Sequence, residues 1–214
     1  MPRQCGRNLS ASVASVPGMD TMREDAMREY DWTHLLAEQL DWWWRAHLRP
    51  RMDGLTDEEY HWEPVPGMWG VRPRGTSAAP VAAGRGDFTV DFAFPQPDPP
   101  PATTIAWRMM HLVVGCFGMR AASHFGGPAV DYQSYDYPGD AATALDRLDA
   151  SYALWMNGVR ALTSQDLMRP IGPAEGPYAK EPMAALVAHI NREALHHGAE
   201  IALLRDLYRW KDKG

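Results

Sequence analysis

Three side chains in this 214-residue chain have the types and spacing to hold a divalent cation: Glu193 and His197, four residues apart, and His111, far from both in sequence. On a helix turning about 100° per residue, Leu186, Ile190, His197, Ile201, Leu204 and Tyr208 fall in one stripe, and Glu193 lies just outside its edge. Side chains one turn apart meet over the helix surface, so the carboxylate and the imidazole can converge on one point. His111 shares a helix face with Trp107, Gly115, Gly118 and Ala122, where the small residues open space around the ring. Two histidines and a carboxylate with a position left over form the ligand pattern of a catalytic zinc site. The same set suits nickel or ferrous iron.

A plainer reading stands beside this one. Glu193 and His197 form an ordinary ion pair, and His111 is a core histidine bonded to a carbonyl. Burying a carboxylate without a strong partner is costly, which favours the cation. His189, His196 and Glu200 lie farther round the helix and are second choices. His47, beside Trp43 on the expected inner stripe of the first helix, is either a catalytic acid/base lining a pocket or a satisfied histidine; His34 and His61 are expected to face solvent. Glu-x-x-His steps occur at Glu193 and Glu58, but the second and third helices carry no Glu, so a di-iron carboxylate site fails. The chain has no Gly-x-Ser-x-Gly, phosphate loop or dinucleotide fingerprint.

These residues need helices to position them. Trp32, Leu36, Leu40, Trp43 and His47 recur at spacings of four and three, which predicts an amphipathic helix from Asp31 to about Met52. Thr56 and Glu59 read as a capping box on a short helical turn. Residues 64–101 hold nine prolines and read as a long loop with one short strand at Phe88 to Phe94. A second helix, capped by Thr103 or Thr104, runs to about His124 and is apolar nearly all round. A third starts at Asp140, with Ala144, Leu148, Tyr152, Trp155 and Val159 on one stripe, and a fourth runs from Pro182 to about Trp210. The fold class is all-α, a bundle of four long helices without a convincing sheet.

The bulk composition sets outer limits. The length suits one domain, taken as residues 29–214, with residues 1–28 as a flexible N-terminal tail lacking the apolar run of a secretory signal. The net charge of -6 and scattered basic residues argue against a nucleic-acid surface, and no apolar run approaches the roughly 20 residues of a membrane span. Two cysteines, Cys5 and Cys116, make no disulfide framework, which fits a cytoplasmic setting. The expected partners are a small-molecule substrate and a second copy of the chain in a homodimer. Only three of 21 basic residues are Lys, a bias typical of GC-rich coding.

Trp62-Glu-Pro-Val-Pro-Gly-Met-Trp69-Gly-Val, the Met-His111-Leu step, and His189-Ile-Asn-Arg-Glu193-Ala-Leu-His196-His197-Gly together resemble the DinB-like four-helix superfamily. That superfamily includes bacillithiol and mycothiol S-transferases and the mycothiol-dependent maleylpyruvate isomerase. The resemblance covers roughly residues 31–210 and implies an up-up-down-down bundle. It also implies a divalent metal held by one His of the second helix and two residues four apart on the last, here His111, Glu193 and His197. Glu193 is a departure, since many relatives carry His there. The implied activity is a metal-dependent transfer of a low-molecular-weight thiol to an electrophile, or a hydrolysis through metal-bound water. With the GC-rich bias, mycothiol is the preferred thiol. A non-catalytic metal- or ligand-binding stress-response module is the alternative.

Overall fold

A computed structural model describes residues 30–213; the expected tail, residues 1–28, lies outside the described residues. The chain is mostly helical and carries one small three-stranded sheet. Helix α1 (Trp32–Trp43) passes directly into a π-helical stretch (Trp44–Leu48) and a last turn (Arg49–Arg51) that contains Pro50. Its buried face is Thr33, Ala37, Leu40, Asp41, Trp44 and Leu48, one residue round from the expected stripe. Trp32 and Trp42 are exposed, and Trp43 is half-buried against Gly198. Hydrophobicity misleads here because a carboxylate on that face finds partners inside. Asp41 accepts the Tyr152 hydroxyl at 2.6 Å and pairs with Arg160 at 2.8 Å, while Trp44 stacks on Tyr152 at 4.0 Å. A buried carboxylate is stable only with such partners.

The short helix α2 (Asp57–Tyr60) has the expected capping box between Thr56 and Glu59. Glu59 is buried, and Arg205 grips it with two bonds of 3.0 Å. The same guanidinium reaches the carbonyls of Arg51 and Asp53, so one buried side chain ties the end of the α1 stretch to the last helix.

The proline-rich segment is not a loop with a single strand. Strands β1 (Val71–Pro73), β2 (Val81–Ala83) and β3 (Phe88–Phe92) form an antiparallel sheet in the order β1-β3-β2. Val71 and Ala83 both pair with Val90 from opposite sides. Three-residue strands are too short for an alternation to show in sequence. Asp91 organises the sheet: its buried carboxylate accepts from the Gly70 amide (2.9 Å), Arg72 (2.7 Å) and Ser77 (2.5 Å). Its carbonyl accepts Trp107 Nε1 at 2.8 Å, which fastens the sheet to the next helix.

Helix α3 (Ile105–Met110) is capped by Thr104, which accepts from the Trp107 amide. It continues as a π-helical stretch (His111–Gly118) and then α4 (Met119–Phe125), which stops at Gly126 in the left-handed region. Helix α5 (Ala141–Arg160) starts at Asp140, whose side chain accepts from Thr143. After α6 (Ser164–Leu167) and a 3-10 stretch (Pro173–Tyr178), helix α7 (Met183–Trp210) closes the described chain. The α5 stripe of Ala144, Leu148, Tyr152, Trp155 and Val159 is buried as expected, against Trp44, Phe117 and Phe125. Each fully buried Leu or Phe contributes roughly 1.5–3 kcal/mol, and Leu186, Val187, Ile190, Ala194 and Ile201 of α7 enter the same core as Leu112, Val114 and Phe117 of the π stretch. No described helix is long and apolar enough to cross a membrane.

Candidate metal centre

His111 opens the π-helical stretch, and His197 and Glu193 sit one turn apart on α7. One ligand-capable atom from each lies within 4.8 Å of the other two. The two imidazoles meet edge to face, with centroids 4.8 Å apart and planes at 89°. His197 Nε2 lies 3.4 Å from Glu193 Oε2. In a tetrahedral site with ligand distances of about 2.0–2.1 Å, neighbouring ligand atoms stand about 3.4 Å apart, so this edge already has the spacing a cation needs.

The outer nitrogens of both rings are engaged. His111 Nδ1 is 2.8 Å from the Tyr132 hydroxyl. His197 Nδ1 is 2.8 Å from Glu200 Oε2 and 3.0 Å from Arg108 Nη1. With Nδ1 as the donor in these bonds, Nε2 is the nitrogen each ring has left for a cation, the arrangement metal-binding histidines use. π-Helical turns are uncommon and recur at functional sites, because the extra residue moves a side chain off the regular helical face.

Both histidines are held neutral. Burial pushes His111 down to about 3, helped by its interaction with the neighbouring His197 and by the positive charges of Arg108 and Arg120. Burial also lowers His197, with the Glu200 bond opposing it and Arg108 adding to it. A neutral imidazole offers a lone pair, so the burial that would penalise a bare proton leaves the rings open to a cation. The charge of the set comes from Glu193, whose side chain is 28% exposed and whose second oxygen is 3.7 Å from His189 Nδ1.

An aromatic frame surrounds His111. Trp107 stacks on it at 5.4 Å and 13°, and Tyr132 lies nearly parallel at 6.5 Å. Trp69 and Phe92 contact each other, and they contact Trp107 and Tyr132 respectively, so the small sheet buttresses both rings. A side chain at Gly115 would overlap the Tyr132 hydroxyl, so the small residue makes room for that bond.

His111, Glu193 and His197 are thus brought together. His47 is not brought to them. It is exposed, edge-on to Trp42, in a groove lined by Trp43, Arg51, Ala199 and Asp206. The expected inner-stripe placement is corrected by the rotated face of α1 and the widened turn that puts Leu48 inside. His61 is half-buried and 2.8 Å from the Gly139 carbonyl, not facing solvent, whereas His34 is exposed. His196, His197 and Glu200 form a second group of suitable types. Arg108 occupies that position, with Nη1 3.0 Å from both His197 Nδ1 and Glu200 Oε2. Arg108 stands one turn before His111, and Glu200 one turn after His197, a spacing signal sequence reading can use. Tyr132 carries no such signal, because it reaches the site from an irregular segment.

A family model for the DinB superfamily matches residues 39–201, a span that takes in His111, Glu193 and His197. The chain belongs to the DinB superfamily. No curated protein and no solved structure matches it significantly. Within this DinB chain, the donor set of two neutral imidazoles and a carboxylate from two helices fits a divalent ion.

Proposed function

We propose that this DinB-superfamily protein is a divalent-metal-dependent enzyme, with the ion held by His111, Glu193 and His197 and zinc as the first choice over nickel or iron. One observation carries the reading: three ligand atoms from helices more than 80 residues apart converge within 4.8 Å, on rings whose outer nitrogens are already engaged. A bound ion with three protein ligands retains an open position, where it lowers the pKa of a thiol or water. The residues orient: Trp107 and Tyr132 fix the His111 plane, and the partly exposed Glu193 side chain brings its carboxylate beside His197. The reaction class proposed is transfer of a low-molecular-weight thiol, mycothiol first, to a small electrophile. His47 lines a groove with Trp42, Trp43 and Arg51 and is given no role in this reading. The long helices are read as the up-up-down-down bundle of the family.

Elemental analysis of the purified protein, followed by thiol conjugation to a generic electrophile with and without chelator, tests this. Stoichiometric metal and chelator-sensitive turnover are expected. Protein without metal whose divalent-ion binding is unchanged by His111→Ala would sink the reading. Metal without turnover with any common thiol points instead to a non-catalytic binding module.

A further inference from the structure

The contacts at His197 Nδ1 cannot all be made at once. A neutral imidazole has one N–H, so Nδ1 either donates to Glu200 Oε2 at 2.8 Å or accepts from Arg108 Nη1 at 3.0 Å. The choice decides the other end of the ring. With the proton on Nδ1, the Nε2 lone pair faces Glu193 and is open to a cation. With Arg108 bonded to Nδ1, Nε2 carries the hydrogen and donates to Glu193 Oε2, 3.4 Å away, which closes the site.

We infer that Glu200 is a positioning residue that holds His197 in the Nδ1–H form, and that Arg108 is the competing partner it restrains. Glu200 does both with one atom, since Oε2 is also 3.0 Å from Arg108 Nη1. Its other oxygen lies 3.3 Å from His196 Nε2, which helps fix the carboxylate plane. Both bonds are charge-assisted, but the Glu200 bond is the shorter, and Arg108 Nη1 still donates to Glu200 Oε2 at 3.0 Å when Nδ1 carries the hydrogen, so the Nδ1–H form prevails while an acceptor oxygen stands there. Without it, Arg108 keeps its place beside the ring, because its side chain is only 19% exposed and its Nε is buried with no partner. The guanidinium then takes the Nδ1 lone pair. The same geometry counts against the His196–His197–Glu200 group as a second cation site: a guanidinium already stands against His197 Nδ1 and Glu200 Oε2.

The inference rests on the metal reading for its functional meaning, but its structural core is testable on metal-free protein. Nitrogen-15 NMR of the imidazole rings reads the tautomer of His197 directly. Wild type is expected to show Nδ1–H, Glu200→Ala to shift toward Nε2–H, and Glu200→Gln, whose amide oxygen still accepts, to keep Nδ1–H. Zinc titration against a competing chelator reads the consequence. Glu200→Ala is expected to weaken binding roughly 10–100-fold, and adding Arg108→Met to that variant should recover most of the loss. A mere structural role for Glu200 would not give recovery through a second substitution. An unchanged tautomer in Glu200→Ala, or lost affinity that Arg108→Met does not restore, overturns the inference. Wild type that shows Nδ1–H yet binds no zinc overturns the metal reading and leaves the tautomer assignment standing. Thermal unfolding of each folded variant checks that the chain is intact; if Glu200→Ala fails to fold, Glu200→Gln and Arg108→Met, compared by the same NMR measurement, decide it.

Discussion

The Tyr132 hydroxyl lies 2.8 Å from His111 Nδ1, in space left by the missing side chain of Gly115. This contact joins an irregular segment to the π-helical stretch and sets the direction in which His111 presents Nε2.

Tyr132→Phe removes the partner of His111 Nδ1 and nothing else in size. Metal affinity is expected to fall about 10-fold, toward the low end for such outer partners. Gly115→Ala displaces Tyr132 altogether and should cost more. Isothermal titration with zinc, each variant against wild type, checks the order.

His111→Ala and His197→Ala each remove a ligand, and stoichiometric metal should be lost in both. Glu193→His keeps a ligand of suitable reach and should retain the ion while favouring metals that prefer imidazole. Elemental analysis after growth in mixed metals distinguishes these outcomes. Equal metal content in all three variants contradicts the assignment.

Metal-free protein should lose stability in acid through His111. Its folded pKa is pushed to about 3 by burial, whereas an unfolded histidine titrates near 6.5. Above the unfolded value both states are neutral, and this residue adds no pH dependence. As pH falls below about 6.5 the unfolded chain binds a proton the folded chain refuses. Stability then declines by up to about 1.4 kcal/mol per pH unit until the folded value is reached. Urea unfolding of chelated protein between pH 7 and 5, wild type against His111→Gln, should show a shallower slope in the variant.

Breaking the buried pair between Glu59 and Arg205 should be costly. Arg205→Met strands a buried carboxylate and frees two carbonyls at the end of the α1 stretch. A loss of about 3–5 kcal/mol is expected from denaturant unfolding. Replacing both residues with apolar ones should recover part of it, because the desolvation cost then disappears as well.

What could be read along the chain was local. The capping residues Thr56, Thr104 and Asp140, the α5 stripe and the one-turn spacing of Glu193 and His197 each depend on neighbours within a few residues, and the structure keeps them. The inner face of α1 was not legible, because Asp41 is buried by two partners on α5, Tyr152 and Arg160, that no wheel of α1 contains. The sheet was hidden because strands of three residues show no period, and its centre is a carboxylate, Asp91, that composition alone places outside. The residue types of the candidate site, and the family they resemble, were determined by the sequence itself. That His111 comes within reach of Glu193 and His197, that Tyr132 and Glu200 hold the outer nitrogens, and that His47 stands apart were decided only by tertiary packing. Helix faces meet according to buried partners supplied from elsewhere in the chain, and spacing along one helix carries no record of them.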